Sequence, residues 1–548
     1  MSSNTAALPS ANTPDAAPAV VMDTRARTFV LIAILMGMFL AALDQTVVGT
    51  ALPRIVTDLN GANIYAWVVT AYLLSSTITG PIYGKFADAF GSKLMMIIGV
   101  SIFLIGSALS GLSQNMTQLI LFRTIQGLGA GALFPLALAI IGALFSPRER
   151  GKYQGLFGAV FGLSFLIGPF IGGWITDHIN WHWVFYVNLP LGLITLAVLA
   201  VVMPAPPPRG ATLRDMDYLG IFLFTVGVVP LLIGLTNKGE PDSNGNLYAW
   251  SDPHVAGLLI LGAVFIGLFL IAESRAKEPI VPLDLFKNRD YAASMAAVFF
   301  FGLAMFTAII FMPRFYQTVR GISATASGYY VWPLLVGLMG SAISSGQIIS
   351  RTGRYKWLMV STPVLLLIGS WSLTHIQADT PDWELWVWLF LMGIGIGPSM
   401  AGFTVVIQNL VPIQRLGVAT STLTFLRQVG GSLGLAIANT VFLSTFAAQL
   451  PKSLAAQGLP AAAAQSAASH SGQLQGVGDL ASGLRHLLPP AAQPLIPKIV
   501  AGVHDAFSLG VGELFWITIV ASALGFAVTL TLRDRPLRTN LGPAPLAE

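Results

Sequence analysis

Asp44 is the one carboxylate in this sequence that cannot easily reach water. It stands more than halfway along residues 28–52, which are otherwise apolar or small and long enough to cross a bilayer. An acid at that depth is costly when ionised, so it is protonated part of the time, paired with a cation, or turned to a wet cavity. Those are the states through which a cation-coupled transporter passes. The alternative is an acid that only hydrogen-bonds to a neighbouring helix. Arg123 and Gln126 lie in another apolar segment, three residues apart and therefore on one helix face. A guanidinium is not neutralised inside a protein and must find an acceptor or water. Asp44 is the candidate partner, directly or through water, and approach and separation of the two would form a proton switch. The competing view is an arginine that snorkels to the outer surface. Arg427, with Gln428 beside it, is a second arginine inside an apolar segment. No deep acid faces it, since Asp217, Glu273, Glu384 and Glu513 sit at expected helix ends. It either binds an anionic group or ties helices together.

The elements that must position these residues are membrane helices. The 548 residues are 54% hydrophobic and 10% charged, whereas soluble chains carry about 25% charged residues. Fourteen segments reach spanning length: 28–52, 65–84, 94–112, 118–145, 154–176, 183–203, 217–236, 254–273, 291–313, 327–349, 357–375, 384–410, 418–446 and 508–532. Residues 1–27, rich in Ala, Pro, Ser and Thr, read as a disordered tail rather than a cleaved signal. The net charge of +5 belongs to topology and not to nucleic-acid binding, because the basic residues lie in short loops beside apolar spans. Of the 29 Lys and Arg, twenty fall on one side if the N-terminus is cytoplasmic, seven fall on the other, and Arg123 and Arg427 lie within spans. The positive-inside rule then places both termini in the cytoplasm of a multi-pass protein of the plasma or inner membrane.

The Pro-rich link after the sixth segment, Met203 to Asp217, and the charged link from Glu273 to Asp290 divide the chain. An N-terminal six-helix half occupies 28–203, a linker with inserted helices seven and eight occupies 204–290, and a C-terminal six-helix half occupies 291–532. An external stretch over 447–507, with a short surface helix expected near Leu480 to Leu488, interrupts the second half, and 533–548 form a cytoplasmic tail. An internal repeat supports the two halves. Gly84, Asp88, Gly91 and Lys93 mark a loop between helices two and three, and Gly346, Arg351 and Gly353 mark the matching loop between ten and eleven. In each, one Gly precedes another by seven residues, then basic residues and an apolar span follow. Duplicated halves are the signature of rocking-type alternating access. Asp88 suits a helix N-terminus or a cation across the cytoplasmic gate, and Gly91 suits a tight turn. An ordinary capped turn is the plainer alternative.

These residues resemble the major facilitator superfamily, and specifically its fourteen-span drug:proton antiporter branch. Leu43 to Pro53 is similar to the branch's first-helix motif, with Gly49 in place of the usual Asn. Gly84 to Lys93 resembles the superfamily's loop motif but departs from it at Ala89 and Ser92, so two of its basic residues are missing. Arg123 to Gly127 resembles the Arg-x-x-Gln-Gly motif of helix four. Gly168, Pro169, Gly172 and Gly173 look like the antiporter motif of helix five. Glycines near four residues apart give a smooth packing face, and Pro169 bends the helix. In the family this face packs between the halves and is associated with exchange; close packing with no bearing on direction is the alternative. Asn180 to Pro190 resembles a Trp-Arg-Trp signature of the branch, with His182 replacing Arg. It reads as an interfacial aromatic anchor with His182 at the surface.

The resemblance implies an all-α polytopic fold and secondary active export of amphipathic, often cationic drugs or toxic compounds in exchange for protons. An exporter of an endogenous metabolite, antibiotic or lipid would have the same sequence features. A proton and a cationic drug competing for Asp44 would couple the two flows. Trp67, Tyr72, Phe306, Tyr329, Tyr330 and Trp332 are candidates for a cavity lining with cation–π contacts. The expected partners are lipophilic small molecules and membrane lipids, and the sequence leaves open whether other efflux components join them. No nucleic acid, ATP, cofactor or metal is expected, and the proton is the coupling ion. There is no Cys, all seven His fall in loops or at helix ends, and no phosphate-binding Gly-x-x-x-x-Gly-Lys-Ser/Thr loop occurs. An intramembrane enzyme or an ATP-driven pump is therefore disfavoured.

Overall fold

The computed structural model describes residues 23–59, 64–204, 216–238, 248–460, 484–485, 490–534 and 536–537. Residues 1–22 of the expected tail, most of the Pro-rich link, the centre of the 447–507 stretch and nearly all of its expected surface helix lie outside those residues. Among the described residues the regular structure is helical throughout. A bilayer offers the backbone no hydrogen-bonding partner, and a helix satisfies its own.

The first half comprises α1 (Thr24–Asp58), α2 (Ala66–Phe90), α3 (Ser92–Gly111), α4 (Met116–Leu144), α5 (Pro147–His178), α6 (Trp183–Tyr186) and α7 (Asn188–Val202). Then come α8 (Tyr218–Lys238) and α9 (Leu258–Glu273). The second half comprises α10 (Arg289–Val319), α11 (Ala324–Tyr330), α12 (Trp332–Thr352), α13 (Lys356–Leu373), α14 (Asp382–Leu410), α15 (Leu416–Ala456) and α16 (Ile496–Leu530). Among the described residues, thirteen helical stretches are long and apolar enough to cross a membrane. The fourteenth is α2, which is 25 residues long; Thr70, Ser75, Ser76, Thr77 and Thr79 lower its hydropathy. Two expected spans are each broken once: Val187 separates α6 from α7, and Val331 separates α11 from α12.

The starts of these helices follow from their sequences. Asn115 accepts the Gln118 N–H at the head of α4, and Ser146 with Glu149 forms a capping box on α5. Gly91, at φ 98°, is the single residue between α2 and α3, and Gly353, at φ 69°, ends α12. Helices on either side of the 447–507 stretch are longer than their apolar segments, with α15 running to Ala456 and α16 starting at Ile496. Hydropathy marks only the bilayer core, whereas the helices persist beyond it because Phe446 and Leu454 pack on Phe507 and Gly502.

The inserted pair α8 and α9 pack on each other, and α8 leans on α2 and α15. Phe224 of α8 lies 5.3 Å from the Phe269 ring of α9 and 5.1 Å from the Phe425 ring of α15. The two halves meet at the end of the bundle where α1 starts and α16 ends, the near face. There α2 packs on α15 and α5 packs on α12. Glycines make the second contact possible: a Cβ on Gly151 or Gly155 would strike the backbone of α12, and one on Gly346 would strike the backbone of Gly151.

Gly346→Leu should disfavour the closed near face by about 1–3 kcal/mol, the usual cost of overpacking. Since the chain has no Cys, a single Cys introduced at Ser421 reports the change. Its alkylation in membranes should be faster in the Gly346→Leu background, and an unchanged rate would show that this contact does not hold the face shut.

Candidate functional site

Asp44 is buried in the middle of α1, and its side chain has no exposed surface. One carboxylate oxygen accepts from the Arg123 Nη1 at 2.5 Å. The other accepts from the Gln126 Nε2 at 2.8 Å and from the Asn188 Nδ2 at 3.0 Å. The same Arg123 nitrogen donates to the Gln126 Oε1 at 2.8 Å, and Arg123 Nε donates to the Val68 carbonyl at 3.3 Å. The guanidinium lies 4.0 Å above the Tyr72 ring. The partners come from three elements: Arg123 and Gln126 from one face of α4, Asn188 from the start of α7, and the Tyr72 ring from α2. Arg123 does not snorkel; its side chain is 1% exposed.

Asn188 was not singled out by sequence reasoning. It lies in the Asn180 to Pro190 stretch, read there as an aromatic anchor, yet it also donates to the Ser107 hydroxyl, which itself donates to the Phe185 carbonyl. The signal was an Asn at the start of an apolar span, just after the aromatic run. His182 is half-buried and stacked on Trp181 at 3.7 Å, and burial holds its pKa below the ordinary histidine value. Of the six aromatics expected to line a cavity, Tyr72 does make a cation–π contact, but with the protein's own Arg123. Tyr330 packs on Tyr316 and Trp386.

The motif expected as a loop lies at the near face and is helical except at Gly91: Gly84 and Asp88 belong to the last turns of α2 and Lys93 to the first turn of α3. Both Asp88 oxygens accept backbone N–H groups at the start of α15, from Gly417 and Val418, each at 2.8 Å. A carboxylate at a helix N-terminus is favourably placed. Gly84 lies against Gly417 and Ser421, where a side chain would not fit. Lys93 turns back into its own half, donating to the Ala200 and Met203 carbonyls at 2.8 and 2.5 Å. Arg148 supplies the complementary contact, donating to the Ser350 and Arg351 carbonyls at the C-terminal end of α12 at 3.0 and 2.8 Å. Arg351 therefore contributes a carbonyl here, and its neighbour Gly353 closes the helix. Between these contacts Gln154 donates to Gln408 at 3.1 Å, and Gln408 donates to the Leu138 carbonyl at 2.9 Å.

The glycines of α5 divide their work differently from the expectation. Gly168 and Gly172 do not pack between the halves; they lie on Thr46 and on Val47 with Thr50, all in α1 of the same half. Thr46 completes the contact by donating to the Ser164 carbonyl at 3.1 Å. Pro169 of this motif lies beside the second half, near Gly328, and Gly173 is half-buried. The contact with the second half belongs instead to Gly151, Gly155, Gly158 and Gly162, which face α12. The reason is geometric: α5 needs bare backbone on two sides, at its near end for α12 and at its far end for α1. Arg427 does not tie helices together through hydrogen bonds of its Nη1 and Nη2, which have no hydrogen-bond partner among the described residues.

The sequence profile described as Major Facilitator Superfamily matches residues 34–435. The chain belongs to that superfamily. Multidrug transporter protein MdtP of Bacillus subtilis (strain 168) is 37% identical over 518 residues, covering 92% of this chain and 93% of that one. Multidrug resistance protein 3 of the same organism is 35% identical over 513 residues, covering 93% and 96%. Among solved structures, the proton:xylose symporter XylE bound to 6-bromo-6-deoxy-D-glucose superposes with a TM-score of 0.57 at 13% identity, covering 94% of this chain and 97% of that one. At that identity the likeness concerns the fold alone. This superfamily protein is thus a multi-pass membrane transporter and not an enzyme, with multidrug and efflux-pump relatives.

Removing Arg123 alone strands a buried carboxylate. Arg123→Ala should cost about 3–5 kcal/mol of stability, and Arg123→Ala with Asp44→Asn should cost less than Arg123→Ala by itself. Thermal unfolding of the four purified chains in detergent checks this, and additive losses would mean that the two side chains are not coupled.

Proposed function

We propose that this transporter exports amphipathic compounds in exchange for protons, with Asp44 as the proton carrier and the near face on the cytoplasmic side. The observation that carries the reading is the Asp44 carboxylate, fully buried and held by Arg123, Gln126 and Asn188. Protonating it removes the charge that Arg123 answers. Val68, Gln126 and the Tyr72 ring then hold the guanidinium, while Gln126 and Asn188 lose a charged acceptor. The positive-inside bias supports the orientation, and the relatives named for multidrug transport support the direction and breadth of export.

The packing suggests how this change reaches the gate. Asp44 sits two residues before Thr46, which touches Gly168, so movement of α1 is passed directly to α5. The near end of α5 carries the glycines that meet α12. Proton and substrate need not share a carboxylate on this route. Asp44 is sealed within the first half, so the two compete through the position of α5 rather than for one acid. The driving force is adequate: one proton gains about 2.3 kcal/mol per 100 mV and about 1.4 kcal/mol per pH unit.

Asp44→Asn should reduce pH-gradient-driven dye transport in inverted vesicles by at least about ten-fold, with the amount of protein in the membrane unchanged. Normal gradient-driven transport by that variant would remove Asp44 from the coupling role.

A further inference from the structure

Arg427 is a second membrane-embedded cation, and among the described residues no carboxylate pairs with it. It is 9% exposed, and among the described residues neither Nη1 nor Nη2 has a hydrogen-bond partner. It cannot reach water by extending along the helix. It stands 11 residues into α15, roughly 17 Å from the helix start at 1.5 Å per residue, and α15 continues far beyond it. Its backbone is fixed as well. The bare Gly302 of α10 lies against the Arg427 carbonyl, and Gly430 lies against that of Phe299, so the helix cannot roll to present another face.

The guanidinium borders a crevice formed by Phe301 and Met305 of α10 and by Ile396, Ser399 and Met400 of α14, too narrow in this conformation for a water molecule. Across the boundary between the halves it faces the ring of Phe157 on α5 at 5.7 Å. None of these elements places a carboxylate on the crevice. A ring face answers part of the charge but leaves the N–H donors unmade. Contrast Arg123, whose acid, amide and ring partners are all supplied by the protein. Beyond Phe157 an aromatic ladder runs along α5, with Phe161 at 6.4 Å and Phe165 a further 5.1 Å on.

We propose that Arg427 binds the carboxylate of an amphipathic substrate whose aromatic or apolar body lies along Phe157 and Phe161. The substrate class thus includes acidic and zwitterionic compounds, in addition to whatever the transporter carries without an acid group. A planar guanidinium with two free terminal nitrogens matches a carboxylate in a two-pronged pair. Opening of the near face would part α5 from α12 and α2 from α15 and admit such a ligand between the halves. The proposal rests on the export function above only for the direction of movement; binding itself does not require it.

The test is equilibrium binding of two dyes to the full-length protein in detergent, read by fluorescence anisotropy with no proton gradient. One dye is a rhodamine with a free aromatic carboxylate; the other is its ethyl ester. The wild-type chain should bind the acid at least about ten-fold more tightly, the worth of one charge-assisted hydrogen bond. Arg427→Gln should abolish the preference while leaving ester affinity within about two-fold, and Arg427→Lys should keep part of it. Equal wild-type affinities for the two dyes overturn the proposal before any variant is made. An Arg427→Gln chain that keeps the preference, or loses both affinities equally, overturns it too. Asp44→Asn separates the two readings: it should retain the dye preference even where gradient-driven transport is lost.

Discussion

Two opposite charges buried in hydrocarbon govern this structure. Neither Asp44 nor Arg123 is tolerable there alone, and each is tolerable only because the other, with Gln126, Asn188 and Tyr72, completes its surroundings. That requirement draws α1, α2, α4 and α7 to one point and gives the first half a charge-sensitive centre. Taking an ion pair out of water rarely improves stability over well-packed apolar groups. Its presence is therefore better explained by the work it does than by the stability it adds.

The near face uses the same economy of charge at lower depth. A carboxylate from the first half rests on the N-terminus of α15, and a guanidinium from the first half rests on the C-terminus of α12. The partial charges of helix ends are thus met by full charges of opposite sign. Amide contacts between Gln154, Gln408 and Leu138 fill the space between them. Asp88, Arg148 and Gln154 thus close the face through contacts to backbone and amide groups of the second half.

The fourteen-helix plan was legible because spanning length and basic-residue bias are strong signals that each span repeats. The pairing of Asp44 with Arg123 and Gln126 was legible because charge at depth is rare and demands an answer. Asn188 was not, since a neutral amide at the head of a span carries no such demand and sits among aromatics that explain the stretch by themselves. Glycine spacing on α5 showed that neighbours come close but not which neighbours; only the three-dimensional arrangement assigns Gly168 to α1 and Gly155 to α12. Hydropathy likewise could not follow α15 and α16 past the bilayer, because their extension is held by mutual packing and not by lipid.

The glycine contact between α5 and α12 has a kinetic consequence. Interlocked leucines or phenylalanines must each settle into one rotamer when a joint shuts and regain their freedom when it parts, a change of roughly 0.5–1 kcal/mol for every Leu or Ile. Gly151, Gly155 and Gly346 have no rotamers to lose, so shutting this joint freezes almost nothing and parting it liberates almost nothing. A machine that must visit both arrangements in every turnover works best when neither is a trap, and a hinge line of bare backbone keeps the two nearly level in entropy.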